Sequence, residues 1–234
     1  MNLIGIIPSR YNSTRFPGKA LCLLGDMPVL VHVYLSALKF GQWNDLLVAT
    51  DDLRISSICN QYKIPYIMTS GEHSDCLDRA AEVSHQIDAD RYVVIQGDEP
   101  FFDCRTLNVD FSLSSFAGFY TEIIHKEEIY DPNVVKVIIS KVSTALYFSR
   151  SPVFFADNRA MKQVGVYVFD KNSLCLFSQL GVSPLEKYEK GGNLTRFLDN
   201  GIPVPMYFTS HDSLSIDTTQ DLIDAQKLLA KSNG

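Results

Sequence analysis

The sequence predicts an α/β fold built on a mostly parallel central sheet with helices on both faces. Two observations carry this. Short, wholly apolar runs alternate with segments of helical spacing, and the runs end in small polar or acidic residues.

The elements follow in order. "LIGIIP" reads as a buried strand. "DMPVLVHVYLSALKF" places Val29, Leu30, Val33, Leu35 and Leu38 at helical spacing, with Pro28 suited to a first turn. "DLLVATDD" is a second strand, "DLRISSICNQYK" a helix and "PYIMTS" a third strand. "CLDRAAEVSHQI" is helical, and "RYVVIQGDEP" is a fourth strand running into acids. Right-handed crossovers bring every strand's C-terminal end to one edge. Those ends are Pro8–Ser9, Thr50–Asp51, Thr69–Ser70 and Gln96–Gly97–Asp98. Ligands of open α/β sheets bind at that edge. Beyond Pro100 the pattern weakens. "VVKVIIS", "TALYFS", "QVGVYVFD" and "VPMYFT" read as strands, and "LTRFLDNG" as a helix stopped by Gly201. "DTTQDLIDAQKLLAKS" reads as a helix with Asp217 or Thr218 as N-cap. No repeat or flexible linker interrupts the chain, so 1–234 is expected to form one domain.

Composition narrows the function. The 234 residues are 46% hydrophobic and 21% charged, with a net charge of −6. That balance argues against a nucleic-acid binder, which shows a basic face. The first residues lack the pattern of a signal peptide, and no apolar run approaches the roughly 20 residues that span a bilayer. A cytoplasmic protein is the expectation. The five cysteines are odd in number and lack CxxC spacing, which disfavours a disulfide framework or a zinc site.

Three cations in ten residues, Arg10, Arg15 and Lys19, surround a Pro-Gly turn directly after the first strand. Backbone N–H groups with Arg and Lys suit a polyphosphate. On charge alone a surface loop paired with nearby acids fits equally well; the position after a buried strand favours phosphate. Asp98 and Glu99 end the fourth strand, where a carboxylate can hold Mg²⁺ or merely be solvated. Asp217 offers a distant second carboxylate, or a plain cap. The five histidines form no metal-ligand pattern, and no covalent nucleophile is indicated.

The segments "IIPSRYNSTRFPGKAL", "PVLVHVY", "VATDD", "MTSGEHSDCLDRAAEV", "VVIQGDEP", "DPNVVKV", "ALYFSR", "GVYVFD", "SPLEKYE" and "SIDTTQDL" span nearly the whole chain. In this order they resemble the 3-deoxy-manno-octulosonate (Kdo) cytidylyltransferases. The resemblance implies a Rossmann-like nucleotide-diphospho-sugar transferase fold. Its first half, 1–100, would bind CTP; its second, 101–234, would carry the sugar-acid and subunit contacts of a homodimer. It also implies Mg²⁺ as cofactor, a 3-deoxy sugar acid as acceptor, and a role in lipopolysaccharide or capsule precursor supply. Pro8, Arg10, Arg15, Lys19, Arg79 and Gln96 would hold the nucleotide. Asp98 and Asp217 would hold the metal, with Lys19, Arg15 and Asp98 acting in catalysis. Gln96, Arg159, Gln163, Tyr167, Glu186 and Glu189 would face the sugar acid. Without the resemblance, Tyr167 reads as a core aromatic and the two glutamates as a solvated helix face.

The chain departs from the family pattern in places. Ser-Gly-Thr-Asp/Glu-Arg becomes Asp75-Cys76-Leu77-Asp78-Arg79, and a His before Gly-Ile-Tyr becomes Gln163. Leu-Glu-Gln-Leu-Arg becomes Gly191-Gly192-Asn193-Leu194-Thr195, and the segment around Arg159 is short. In the family the first of these segments lies near the nucleotide, so base or ribose contacts are affected there; the others fall in the acceptor half, which drifts while the nucleotide loop and the metal acids are kept. A related octulosonate or nonulosonate therefore stands beside Kdo as acceptor. A transferase using another nucleotide and a non-catalytic homologue are the remaining alternatives.

Overall fold

The computed structural model describes residues 1–13, 15–153, 160–189 and 193–232. The N-terminal half runs β1 (Leu3–Ser9), a 3₁₀ turn (Lys19–Leu21), the small hairpin β2 (Leu23–Leu24) and β3 (Met27–Pro28), then α1 (Val29–Leu38). It continues β4 (Asp45–Thr50), α2 (Leu53–Tyr62), β5 (Tyr66–Met68), α3 (Cys76–Gln86) and β6 (Arg91–Ile95). The second half contains β7 (Phe116–Glu122), β8 (Lys136–Ile139), β9 (Thr144–Ser149), β10 (Met161–Phe169), α4 (Lys171–Leu180), α5 (Pro184–Glu189) and α6 (Thr195–Asp199). It ends with β11 (Val204–Phe208) and α7 (Thr219–Ser232).

The main sheet has nine strands in the order β5-β4-β1-β6-β10-β7-β11-β9-β8. From β5 to β6 every pairing is parallel. β10 then enters antiparallel between β6 and β7, and the far side is mixed, with β11 parallel to β7 and antiparallel to β9. Period-two alternation gives each strand two apolar faces. Leu3 and Ile7 of β1 belong to the core cluster that includes residues of α1, α2 and α7, while Ile4 and Ile6 belong to the one that includes residues of α3, α4 and α6. Both faces are covered, which is why the first four main strands read as unbroken apolar runs.

Besides the small β2–β3 hairpin, two larger elements were not expected from the sequence. β7 carries Gly118 at its middle, where a Cβ would lie 2.6 Å from Leu194 Cδ1 and 2.9 Å from Met206 Sδ. A glycine inside a strand lowers its β signal, but here the missing side chain admits those two neighbours. α4 begins "DKNS", which reads as a turn. Asp170 caps it instead, accepting from Ser173 N at 2.7 Å.

The start of α7 is resolved in favour of Thr218. Its Oγ1 accepts from Asp221 N (3.2 Å), and Asp221 Oδ2 accepts from Thr218 N (2.7 Å), a capping-box exchange. Asp217 is thereby released from capping duty. Thr218→Ala is expected to cost about 1 kcal/mol of stability, read as a shift in a denaturant midpoint with unchanged slope.

Candidate functional site

The first loop leaves β1 at Ser9 and folds back on itself. Tyr11 O accepts from Ser13 N at 2.9 Å and from Gly18 N at 2.8 Å. Gly18 sits at φ +73°, a left-handed conformation that glycine adopts without steric cost. It opens the 3₁₀ turn whose first residue is Lys19. That geometry aims the Lys19 side chain across the sheet edge, where Nζ meets Asp98 Oδ2 at 2.5 Å and Asp217 Oδ1 at 2.8 Å. Burial opposes the charge on Lys19, but the two carboxylates outweigh it and hold its pKa above the ordinary value. Two acids 119 positions apart in the chain are thus gathered on one ammonium. The backbone secures the meeting, because Ile216 N donates to Asp98 O at 2.9 Å.

Arg15 adds a second cation, with Nη2 2.9 Å from Asp217 Oδ1 and Nη1 donating to Asn133 Oδ1 at 2.6 Å. Arg10 is exposed and, among the described residues, joins no ion pair. Pro8 is buried in β1, in register with Ala49 of β4. Arg79 of α3 is buried, with Nη2 3.0 Å from Asp51 Oδ1 and Nη1 donating to Thr69 Oγ1. It therefore ties together the C-terminal ends of β4 and β5 behind the loop.

Next to the acids lies a layer of amides. Gln96, just beyond β6, donates from Nε2 to Tyr167 Oη (3.0 Å) and to Asn193 Oδ1 (2.9 Å). Tyr167 is fully buried; it donates to Asn193 Oδ1 at 2.6 Å and accepts from Gln163 Nε2. Its hydroxyl is spent within the protein, so in this structure Tyr167 supports Gln96 and Asn193 rather than lining an open surface. Gly165 forms the floor. A Cβ there would stand 2.5 Å from Glu99 Oε1 and 3.2 Å from Gln96 Oε1. Glu99 is buried, and burial followed by the neighbouring Asp98 charge pushes its pKa up to about 8.

Glu186 requires a correction. It lies neither on a solvated helix face nor free to meet a ligand. Its Oε1 and Oε2 accept from Arg196 Nη2 and Nε, both at 2.9 Å. Arg196 is 1% exposed and also meets Asp78 Oδ1 at 2.7 Å and Oδ2 at 3.1 Å. A guanidinium withdrawn from water demands such partners, and α5 and α3 supply them. Arg159 and the side chain of Glu189 lie outside the described residues.

Several site residues carried no assignment from sequence. Asn193 sits within a departure from the family pattern. Asn133 and Lys136 belong to "DPNVVKV", and Arg150 to "ALYFSR". Lys136 is fully buried; its Nζ donates to the carbonyls of Asp131 (2.8 Å), Val134 (2.8 Å) and Arg150 (2.7 Å). Arg150 Nη1 in turn donates to the carbonyls of Pro132 (2.6 Å) and Asn133 (3.0 Å). This clamp fixes the turn that presents Asn133 to Arg15. The only signal was a buried-strand pattern holding one lysine.

The fit to a divalent ion can be judged from the donors. Asp98 Oδ1 is buried and has no hydrogen-bond partner among the described residues, and Asp217 is buried beside it across Lys19. No group of three or more metal-binding side chains occurs among the described residues. Two carboxylates with open positions suit Mg²⁺, which takes one or two protein carboxylates and completes its shell with waters and phosphates. Among the described residues, no helix is long and apolar enough to cross a membrane.

Comparison with known proteins identifies the family. A family model described as cytidylyltransferase matches residues 4–204. A 3-deoxy-manno-octulosonate cytidylyltransferase of Trichlorobacter lovleyi is 37% identical, over 97% of this chain and 98% of its own. The enzyme of the same name from Solibacter usitatus is 36% identical, over 98% and 95%. Among solved structures, a CMP:2-keto-3-deoxy-manno-octonic acid synthetase complexed with CTP superposes with a TM-score of 0.88. It is 32% identical and is covered over its full length, with 99% of this chain.

Proposed function

The chain belongs to the cytidylyltransferase family, and we propose that it transfers CMP from CTP to the anomeric hydroxyl of a 3-deoxy sugar acid, Kdo foremost, releasing pyrophosphate. The observation that carries this reading is the convergence of Asp98 and Asp217 on Lys19, with Arg15 alongside and Arg10 exposed at the same edge.

Transfer to phosphorus needs positioning and charge neutralisation more than covalent chemistry. Arg10, Arg15 and Lys19 bind the phosphates and take up the charge that builds on departing pyrophosphate. Lys19 has two carboxylates to leave and a polyanion to receive it. Asn133 and the Lys136 clamp hold Arg15 at its angle. Asp98 and Asp217 would hold Mg²⁺, which supplies further neutralisation of phosphate charge when bound. Arg79 braces the nucleotide side of the edge, while Gln96, Asn193 and Gln163 form the acceptor side. This reading places the protein in the cytoplasm, where CTP is made, and takes a homodimer from the resemblance; light scattering of the purified protein checks the latter.

The direct test is pyrophosphate release with CTP and Mg²⁺ across a panel of sugar acids, with UTP and GTP as controls. CTP-dependent release with Kdo or a related acid is expected. No release from any acid, although CTP binds, would overturn the enzyme reading. Gly165→Ala is expected to lower kcat/KM by about 10²-fold, because displacing Glu99 and Gln96 by an ångström spoils a preorganised site. Steady-state kinetics on the folded variant read this out.

A further inference from the structure

A run of polar side chains borders the acceptor side, and its donors all point one way. Asp75 Oδ1 accepts from Leu77 N at 2.8 Å, which caps α3. Asp75 Oδ2 accepts from Asn193 Nδ2 at 2.6 Å. With its amino group committed there and, at 3.5 Å, to Cys76 Sγ, Asn193 must turn Oδ1 the other way. That oxygen accepts from Gln96 Nε2 and from the Tyr167 hydroxyl. Gln163 Nε2 donates to Tyr167 Oη in turn. Acceptors are therefore left over at the far end. Among the described residues Gln163 Oε1 is buried without a hydrogen-bond partner, and Gln96 Oε1 faces the gap above Gly165. An ionised carboxylate can only accept, so one residue dictates the sense of the whole run. Burial raises the Asp75 pKa to about 6, so it is an anion at pH 8. The family pattern named above has serine at this position, so the device belongs to this chain.

We propose that Asp75 is a positioning residue that fixes the direction of this network, so that the crevice offers carbonyl oxygens and selects acceptors presenting hydroxyl donors. The identity of the acceptor rests on the proposed function; the direction of the network does not.

Asp75→Asn is the informative variant. Asparagine caps a helix as well as aspartate does, so α3 keeps its N-cap. The introduced amide, however, turns a donor towards the Asn193 donor. At pH 8 the KM for the sugar acid is expected to rise about tenfold or more, the loss of a hydrogen bond to a charged group. The swap Asp75→Asn with Asn193→Asp restores the order. The amide at 75 donates to one carboxylate oxygen at 193, and the other oxygen accepts from Gln96 and Tyr167. Recovery of KM in the swap supports the proposal; a swap no better than Asp75→Asn, or an unaltered KM in Asp75→Asn, overturns it. Denaturation of the four proteins gives the same decision without substrate. Favourable coupling between positions 75 and 193 upholds the network even if the native protein turns over no sugar acid, in which case only the functional reading falls. Absence of coupling rejects the inference whatever the turnover.

Discussion

Replacing Asp98 with Asn is expected to slow CMP transfer by about 10²–10³-fold, the scale seen when one electrostatic contact to a transition state is removed. The substitution keeps the shape of the side chain and the backbone carbonyl that receives Ile216 N, so the edge of the sheet stays built. What changes is charge. Asp98 Oδ2 is one of two acceptors for Lys19, and Oδ1 is buried without a partner among the described residues. An amide there offers one neutral acceptor and a donor that faces the Lys19 ammonium or an empty direction. Measurement of Mg²⁺-dependent pyrophosphate release, with calorimetric CTP binding in parallel, checks the result. A variant as fast as the native protein at saturating substrates would remove Asp98 from the catalytic set.

Arg196→Ala should destabilise the fold by about 3–5 kcal/mol, the cost of stranding buried counter-charges. Asp78 and Glu186 are both held by this guanidinium, which also donates to Phe177 O at 2.9 Å and lies 3.8 Å over the Phe177 ring. Burial opposes its charge, but Glu186 and Asp78 more than compensate and raise its pKa. Truncation leaves two acids facing each other between α3 and α5. For a chain of this size the loss corresponds to a fall in Tm of roughly 6–20 °C, read by calorimetry. A shift of less than a degree would show that water enters and solvates the acids.

Much of this architecture was legible from the chain. The strands of the first half are buried on both faces, so each stands out as an apolar run between helical spacings. Their ends identified the edge where Asp98 and the cationic loop meet. Asp217 could be placed only by the resemblance, since a carboxylate before a helix reads as a cap; Thr218 performs that task. The second half was harder. Gly118 in β7 and the polar start of α4 mimic turns, and their packing partners come from distant segments. Glu186 was misread because one helix turn cannot reveal that a buried arginine ten residues later claims it. Asn193 and Asn133 left no trace, because an uncharged amide gains its role only from long-range neighbours.

The insertion of β10 beside β6 also governs how the protein is born. The outer edge of β6, lined by Val93, Val94 and Ile95, receives its partner only when residues 161–169 have been synthesised. Until then the nascent chain carries an unpaired apolar strand, the kind of edge that invites association with other chains. Ribosome-bound truncations ending before residue 160 should accordingly recruit holding chaperones, and release them once β10 clears the exit tunnel.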